Sequence, residues 1–152
     1  MTAKITEASI VHVGVISVLH GACFEEVWNE KSISEVLNMA GTTGLLVGAE
    51  VETPQGFILF RVAADEAEII SIGVIPAARK NGLARILLQA SIKVAARRDA
   101  AKMFFEVAVD NSAARALYES VGFKIIGKRP GYYNRSSEKL DAIIYNLHIS
   151  NK

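Results

Sequence analysis

The sequence predicts a single α/β (α+β) domain spanning residues 1–152, built on a mixed β-sheet. Two observations predict it. After Glu68, apolar runs of strand length alternate with runs of helical periodicity, a β-α-β-α-β order that favours at least one parallel crossover. Before it, residues 45–51 and 57–62 are strand-like and flank the turn Thr53-Pro54-Gln55-Gly56, a hairpin that makes the sheet mixed. The size agrees: 152 residues, 51% of them apolar, make one ordinary domain with a real core.

The elements follow from local pattern. Residues 4–7 form a short first strand. From Ser9 a helical pattern begins, with Val11, Val15, Val18 and Leu19 apolar and Gly14 weakening it. Residues 25–40 are polar-amphipathic, with Ile33, Val36 and Leu37 as the apolar stripe, and Gly41-Thr42-Thr43-Gly44 is a break. The hairpin follows, then a buried strand over 68–74 that Pro76 ends. Residues 82–98 read as a helix with Leu83, Leu87, Ala90 and Val94 on one face. A strand over 103–109 precedes a short helix over 111–121, which Gly122 closes in the C-cap position. Residues 124–127 and 142–149 are the last strands.

Composition narrows the function. Lys and Arg number 17 and Asp and Glu 16, a balance that argues against binding nucleic acid mainly by charge. The single cysteine, Cys23, rules out an internal disulfide framework and fits a reducing cytosol, so a cytoplasmic location is expected. No apolar run is long enough to span a bilayer. Small residues before Cys23 have the look of a lipoprotein signal, but His12 interrupts the run and only Lys4 precedes it, so residues 8–23 read as a core helix. His20 and Cys23 are two metal-ligand types with no second pair to complete a site, and no metal is expected.

The stretch "SIGVIPAARKNGLARILL", residues 71–88, leaves a buried strand, passes a basic loop with one glycine and enters a helix at once. A helix N-terminus carries unpaired N–H groups and partial positive charge, and phosphates bind there. Gly82 permits close backbone approach, and Arg79, Lys80 and Arg85 add charge. A pyrophosphate fits such a turn. The chain has no G-x-x-x-x-G-K-[ST] loop, and only the first glycine of G-x-G-x-x-G is present, so nucleotide-triphosphate and dinucleotide loops are disfavoured.

Arg79-x-x-Gly82-x-Ala84, after a strand and opening a helix, resembles the acetyl-CoA-binding motif of the GNAT N-acetyltransferase superfamily, Q/R-x-x-G-x-G/A. Downstream, "FFEVAVDNSAARALYESVGFKIIGKRPGYY" resembles the ribosomal-protein-alanine N-acetyltransferase branch, with its L-E-V-x-x-x-N-x-x-A-x-x-L-Y-x-x-x-G-F signature. The resemblance is dense over residues 68–146 and weak before that. It implies a mostly antiparallel sheet with helices on both faces and a splayed parallel strand pair at the cofactor site. It also implies acetyl-CoA as cosubstrate. Ile72, Gly73 and Val74 would lie along the pantetheine arm, Arg79, Lys80, Asn81, Gly82, Leu83, Ala84 and Arg85 would form the pyrophosphate loop, and Asn111 would touch the cofactor. Asn111 is equally a preferred helix N-cap.

Amine attack on a thioester needs a neutral amine, a stabilised oxyanion and a departing thiolate. Glu106 is the odd residue in the apolar strand "MFFEVAV", where burying an unpaired carboxylate is costly; it either faces solvent on a half-exposed strand or is the candidate base. Tyr118 is either core packing or the acid that protonates the thiolate. The resemblance matches both to the branch's proposed base and acid. A backbone N–H near Val74 is the candidate oxyanion donor. Trp28, preceded by Val27 where the branch has proline, and Tyr132, beside Tyr133 in a Gly-rich turn, would border the acceptor. By resemblance the acceptor is a protein N-terminus, the N-terminal alanine of protein eighteen of the small ribosomal subunit. Rival readings are a GNAT enzyme acting on a small-molecule amine or a lysine, and a CoA-binding module without catalysis. No membrane or nucleic-acid role is expected.

Overall fold

In a computed structural model of the protein, the chain runs β1 (Lys4–Ala8), a 3₁₀ turn (Ile10–His12), α1 (Val13–Cys23), α2 (Glu30–Leu37), β2 (Thr42–Gly48), β3 (Gly56–Ala63), β4 (Glu66–Val74), a second 3₁₀ turn (Pro76–Ala78), α3 (Leu83–Arg97), β5 (Lys102–Ala108), α4 (Ser112–Val121), β6 (Lys124–Arg135) and β7 (Glu138–His148). The structure describes residues 3–135 and 138–149. Seven strands form one sheet in the order β1-β2-β3-β4-β5-β7-β6. Every neighbouring pair is antiparallel except β4 and β5, whose parallel pairing requires the crossover that α3 supplies.

That parallel pair is short. Glu66, Ala67 and Glu68 pair with Lys102, Met103 and Phe104, and there the register ends. From Ile69 onward β4 keeps β3 on one side only, while β5 continues along β7 to Ala108. A register shift opposite Leu59 and Phe60 leaves Ile70 as an extra residue in β4, at the point where the two strands part. An extra residue bends a strand and sharpens its twist.

Strand alternation divides the core between two helical layers. Leu45, Val47, Ile58 and Phe60 pack with Leu83, Leu87 and Leu88 of α3. The intervening residues, Leu46, Phe57 and Leu59, pack with Val13, Ile16 and Leu19 of α1 and Ile33 of α2. Each such side chain, once buried, contributes roughly 1.5–3 kcal/mol, so both helical layers are tied firmly to the sheet. Helix α4 is fixed by a polar clamp. Arg115 donates to the Tyr145 hydroxyl (3.1 Å) and to the Val109 carbonyl (3.0 Å), and that hydroxyl donates to Glu119 (2.7 Å).

Four expectations change. On α1 the predicted apolar stripe is largely turned outward: Val11 is 79% and Val18 74% exposed, while Val13, Ile16, Leu19 and His20 are buried. The run is apolar nearly all round, so periodicity permits either stripe, and packing on the sheet decides. The amphipathic stretch over 25–40 condenses to α2, capped by the Asn29 side chain accepting from the Ser32 N–H at 2.9 Å. The break over 41–44 is the start of β2, whose Thr42 already pairs with Arg61; only Gly41, at φ +83°, turns the chain. Finally, β6 runs on past 127 to Arg135 and β7 begins at Glu138 rather than at 142 and ends at His148, and Tyr132 lies within β6 beside a bulge rather than in a free turn. Among the described residues no helix is long and apolar enough to cross a membrane.

Candidate active site

Where β4 and β5 part, a cleft of about 590 Å³ opens between the two helical layers. Ile70, Ser71 and Ile72 of β4 and residues 105–108 of β5 line it, closed at one end by His20, Cys23 and Trp28 and at the other by Asn111, Ala114 and Tyr118. The opening is built into the topology. Strands that would otherwise satisfy each other's backbone groups separate, and the freed edge of β4 faces the cleft.

The end of β4 is pinned before the chain enters α3. Arg79 donates through Nε to the Val74 carbonyl at 2.9 Å, and the Ile75 N–H donates to the Gln55 carbonyl at 2.9 Å. Lys80 takes a left-handed conformation at φ +69° and Gly82, the N-cap of α3, another at φ +80°. A Cβ placed on Gly82 would meet no protein atom within 4 Å. The glycine therefore leaves open space directly over the N-terminus of a 15-residue helix. An anion can approach there as closely as the backbone allows. Lys80 and Asn81 are exposed beside it, Leu83 is buried beneath it and Ala84 is half-buried. Two cations expected to face this turn are used otherwise: Arg79 on Val74, and Arg85 on the Ser120 hydroxyl of α4 at 2.7 Å.

Glu106 lies on the cleft wall with its side chain 26% exposed. It is not the solitary carboxylate that its apolar strand suggests: Arg129 of β6 approaches it at 3.0 Å. Tyr118 is fully buried, its ring 4.6 Å from that of Phe105 and 5.4 Å from that of Phe123, and it also lines the cleft. Core packing and a place on the cleft lining are thus combined in one residue. Asn111 caps α4 by accepting from the Ala114 N–H at 3.2 Å and borders the same cavity. Gly73 is tight, since a Cβ there would stand 2.9 Å from Cys23 Sγ and 3.1 Å from Phe57. Burial pushes the Cys23 thiol pKa up, against an opposing hydrogen bond from Arg79.

The profile of the acetyltransferase (GNAT) family matches residues 15–123, a span that includes the parted strands, the Gly82 turn and both Glu106 and Tyr118. The chain belongs to the GNAT family. It is 40% identical over 94 residues to the [ribosomal protein bS18]-alanine N-acetyltransferase of Escherichia coli strain K12, an alignment covering 62% of this chain and 64% of that relative. In structure it resembles the ribosomal-protein-S18-alanine N-acetyltransferase from Escherichia coli, with a TM-score of 0.91, 28% identity and coverage of 98% and 95% of the two chains. Arabidopsis thaliana NAA60 in complex with acetyl-CoA has the same fold, with a TM-score of 0.84, 16% identity and coverage of 97% and 99%.

Within this GNAT domain, Ile72, Glu106, Asn111, Tyr118 and Trp28 share one cavity. The segment from Arg79 to Arg85 follows the second 3₁₀ turn and enters α3 outside that cavity lining, and Tyr132, 51% exposed, also lies outside it. Tyr132 is nonetheless joined to the site, because Arg129 lies over its ring at 5.2 Å and reaches Glu106 with the same guanidinium. Sequence reasoning does not single out Arg129 or Ser17, and weighs His20 only as a metal-ligand type. A signal for the last two exists: Val13, Ile16, Ser17 and His20 follow i, i+3, i+4, i+7, the helical face that the sheet selects. Among the described residues no group of three or more His, Cys, Asp or Glu could hold a metal ion, and His20 and Cys23 line the cleft instead.

Proposed function

We propose that this chain is an acetyl-CoA-dependent N-acetyltransferase acting on a protein N-terminal α-amine, the N-terminal alanine of a small-subunit ribosomal protein being the favoured acceptor. One observation carries the reading: a carboxylate and a phenol, Glu106 and Tyr118, line one cleft opened by the parting of β4 from β5. The sequence likeness to bS18-alanine N-acetyltransferases supports the acceptor class.

In this reading the pantetheine amides run along Ile72, Gly73 and Val74, and the pyrophosphate rests on the backbone from Arg79 to Arg85, with Gly82 giving the closest approach. Glu106 takes the proton from the α-ammonium, directly or through water. The freed amine nitrogen bonds to the thioester carbonyl carbon, and the oxyanion is held by backbone N–H near Val74. The C–S bond then breaks, Tyr118 protonates the thiolate, and the second proton of the attacking nitrogen passes to the phenolate, leaving a neutral amide, a thiol and a restored phenol. An α-amine, with a reference pKa of roughly 7.7–8.0, suits a carboxylate base better than a lysine amine at about 10.4. Trp28 and Tyr132 border the acceptor, and much of the acceleration comes from holding the two reactants together.

The test uses acetyl-CoA and two peptides, one beginning with a free N-terminal alanine and one N-blocked and containing lysine. Acetylation of the first and not the second is expected. Efficient turnover of the blocked peptide would move the acceptor to lysine side chains. Tight acetyl-CoA binding with no turnover of any amine would leave a CoA-binding module.

A further inference from the structure

Both peptide groups of Trp28 are held by side chains from α1. The Trp28 N–H donates to His20 Nδ1 at 3.3 Å, and the Trp28 carbonyl accepts from Ser17 Oγ at 2.8 Å. Ser17 and His20 stand three residues apart on one helix, so both reach the same strip of chain. The imidazole stacks on the Trp28 indole with centroids 4.7 Å apart and planes 17° apart, and it lies 4.5 Å from the Phe24 ring and 6.0 Å from that of Phe57. His20 is only 3% exposed, yet it lines the cleft. The segment over residues 24–29 belongs to no helix or strand, so its course depends on such side-chain holds.

We propose that Ser17 and His20 are positioning residues that fix the acceptor-side wall of the cleft, holding Trp28 for the chain that carries the amine, and that this hold depends on an unprotonated His20 Nδ1. The proposal rests on the reading of Trp28 as an acceptor contact. A backbone N–H only donates, so Nδ1 must accept and the ring proton sits on Nε2. An imidazolium has no acceptor left, and protonation therefore releases one of the two pins.

Burial lowers the His20 pKa, with Glu26 opposing. The unfolded chain takes up this proton near pH 6.5 and the folded chain only at lower pH. The stabilisation from the neutral ring is therefore present above the unfolded value and is lost as pH falls through the folded one. The other titratable or charged groups around the ring are Glu25 and Glu26 from the wall segment, Cys23 on α1 with Arg79 beside it, and Glu106 and Tyr118 across the cleft. The ring's β3 neighbour is Phe57, and β4 contributes Ile70, Ser71 and Ile72 to the cleft.

Steady-state kinetics with acetyl-CoA and an alanine-initiated peptide test this. His20→Phe keeps a stacking ring and loses the acceptor; its peptide KM should rise about fivefold near neutral pH, the worth of one hydrogen bond, with the acetyl-CoA KM within about twofold. His20→Asn sets an amide oxygen near the place of Nδ1 and should hold the peptide KM within about twofold. As pH falls below 6.5, the wild-type peptide KM should climb relative to that of His20→Asn. Titration of the amine affects both proteins alike, so the ratio isolates His20. Ser17→Ala removes the other pin and should raise the peptide KM several-fold, which keeps the test open should His20→Phe not fold.

Unchanged peptide KM in His20→Phe and Ser17→Ala, alongside a raised value in Trp28→Ala, would overturn the pins and keep the wall. Unchanged KM in Trp28→Ala as well would overturn both the pins and the acceptor role of Trp28. An acetyl-CoA KM that shifts as much as the peptide KM would reduce Ser17 and His20 to general packing and overturn the proposal.

Discussion

In the proposed reading the cofactor rests largely on backbone: the freed edge of β4 in the cleft and, beyond the cleft, a helix N-terminus with a glycine at φ +80° and open space where a Cβ would lie. The proposed acceptor side is made of side chains from distant parts of the chain: Trp28 held by Ser17 and His20, and Arg129 bridging Glu106 and Tyr132. A backbone surface suits a ligand that never changes, because N–H groups are the same whatever residues carry them. A side-chain surface can be altered one residue at a time, and acceptor choice can drift without disturbing the cofactor. The expected consequence is separability, with changes on one side leaving the other side's affinity intact.

Three substitutions would break or sharpen that contrast. Tyr118→Phe carries the largest expected effect of the three, since it removes only a hydroxyl from a ring that is otherwise core. It should lower kcat by roughly 10²-fold or more, the usual worth of a positioned acid, with Tm nearly unchanged; loss of stability without a kinetic effect would return Tyr118 to packing alone. Gly82→Val comes next. A Cβ at this position meets nothing within 4 Å, so the main folding cost is the left-handed backbone, about 1–2 kcal/mol. Acetyl-CoA should bind at least about tenfold more weakly by calorimetry, because the branched Cβ occupies the ligand's approach, while peptide KM stays put. Unchanged affinity would move the cofactor elsewhere. Arg129→Gln should have the smallest effect. Its ion pair with Glu106 is half-exposed and contributes no more than about 1 kcal/mol, so peptide KM should change a few-fold and acetyl-CoA binding not at all; an equal change in both would show that the two walls are not separable.

The same contrast explains what the sequence made legible. The turn at Gly82, the cap at Asn111 and the C-cap at Gly122 are local devices, and each sits where residue type and spacing place it. The parallel β4–β5 crossover is equally local, since strand, helix and strand follow one another directly. The wall around Trp28 is not. Its pins come from a helix so uniformly apolar that periodicity leaves the buried face open, and the sheet resolves the choice toward Val13, Ile16 and His20. Arg129 was equally hidden, because its partner Glu106 lies on another strand and meets it only once β5, β7 and β6 are laid side by side. Glu106 itself was visible as a charge among apolar neighbours, but its ion pair was not.

The central claim, that proton transfer at the parted strands drives acetyl transfer, is tested most directly by the kcat/KM of Glu106→Gln against that of the unaltered protein across roughly pH 6 to 9. The substitution keeps size and hydrogen bonding and removes the base. The account predicts a deficit that is greatest at the acid end, up to about 10²–10⁴-fold, and narrows as the pH approaches the amine's own pKa. Acetyl-CoA affinity should stay within a few-fold. A ratio within about twofold of unity over the whole range would contradict the assignment of Glu106 as the base.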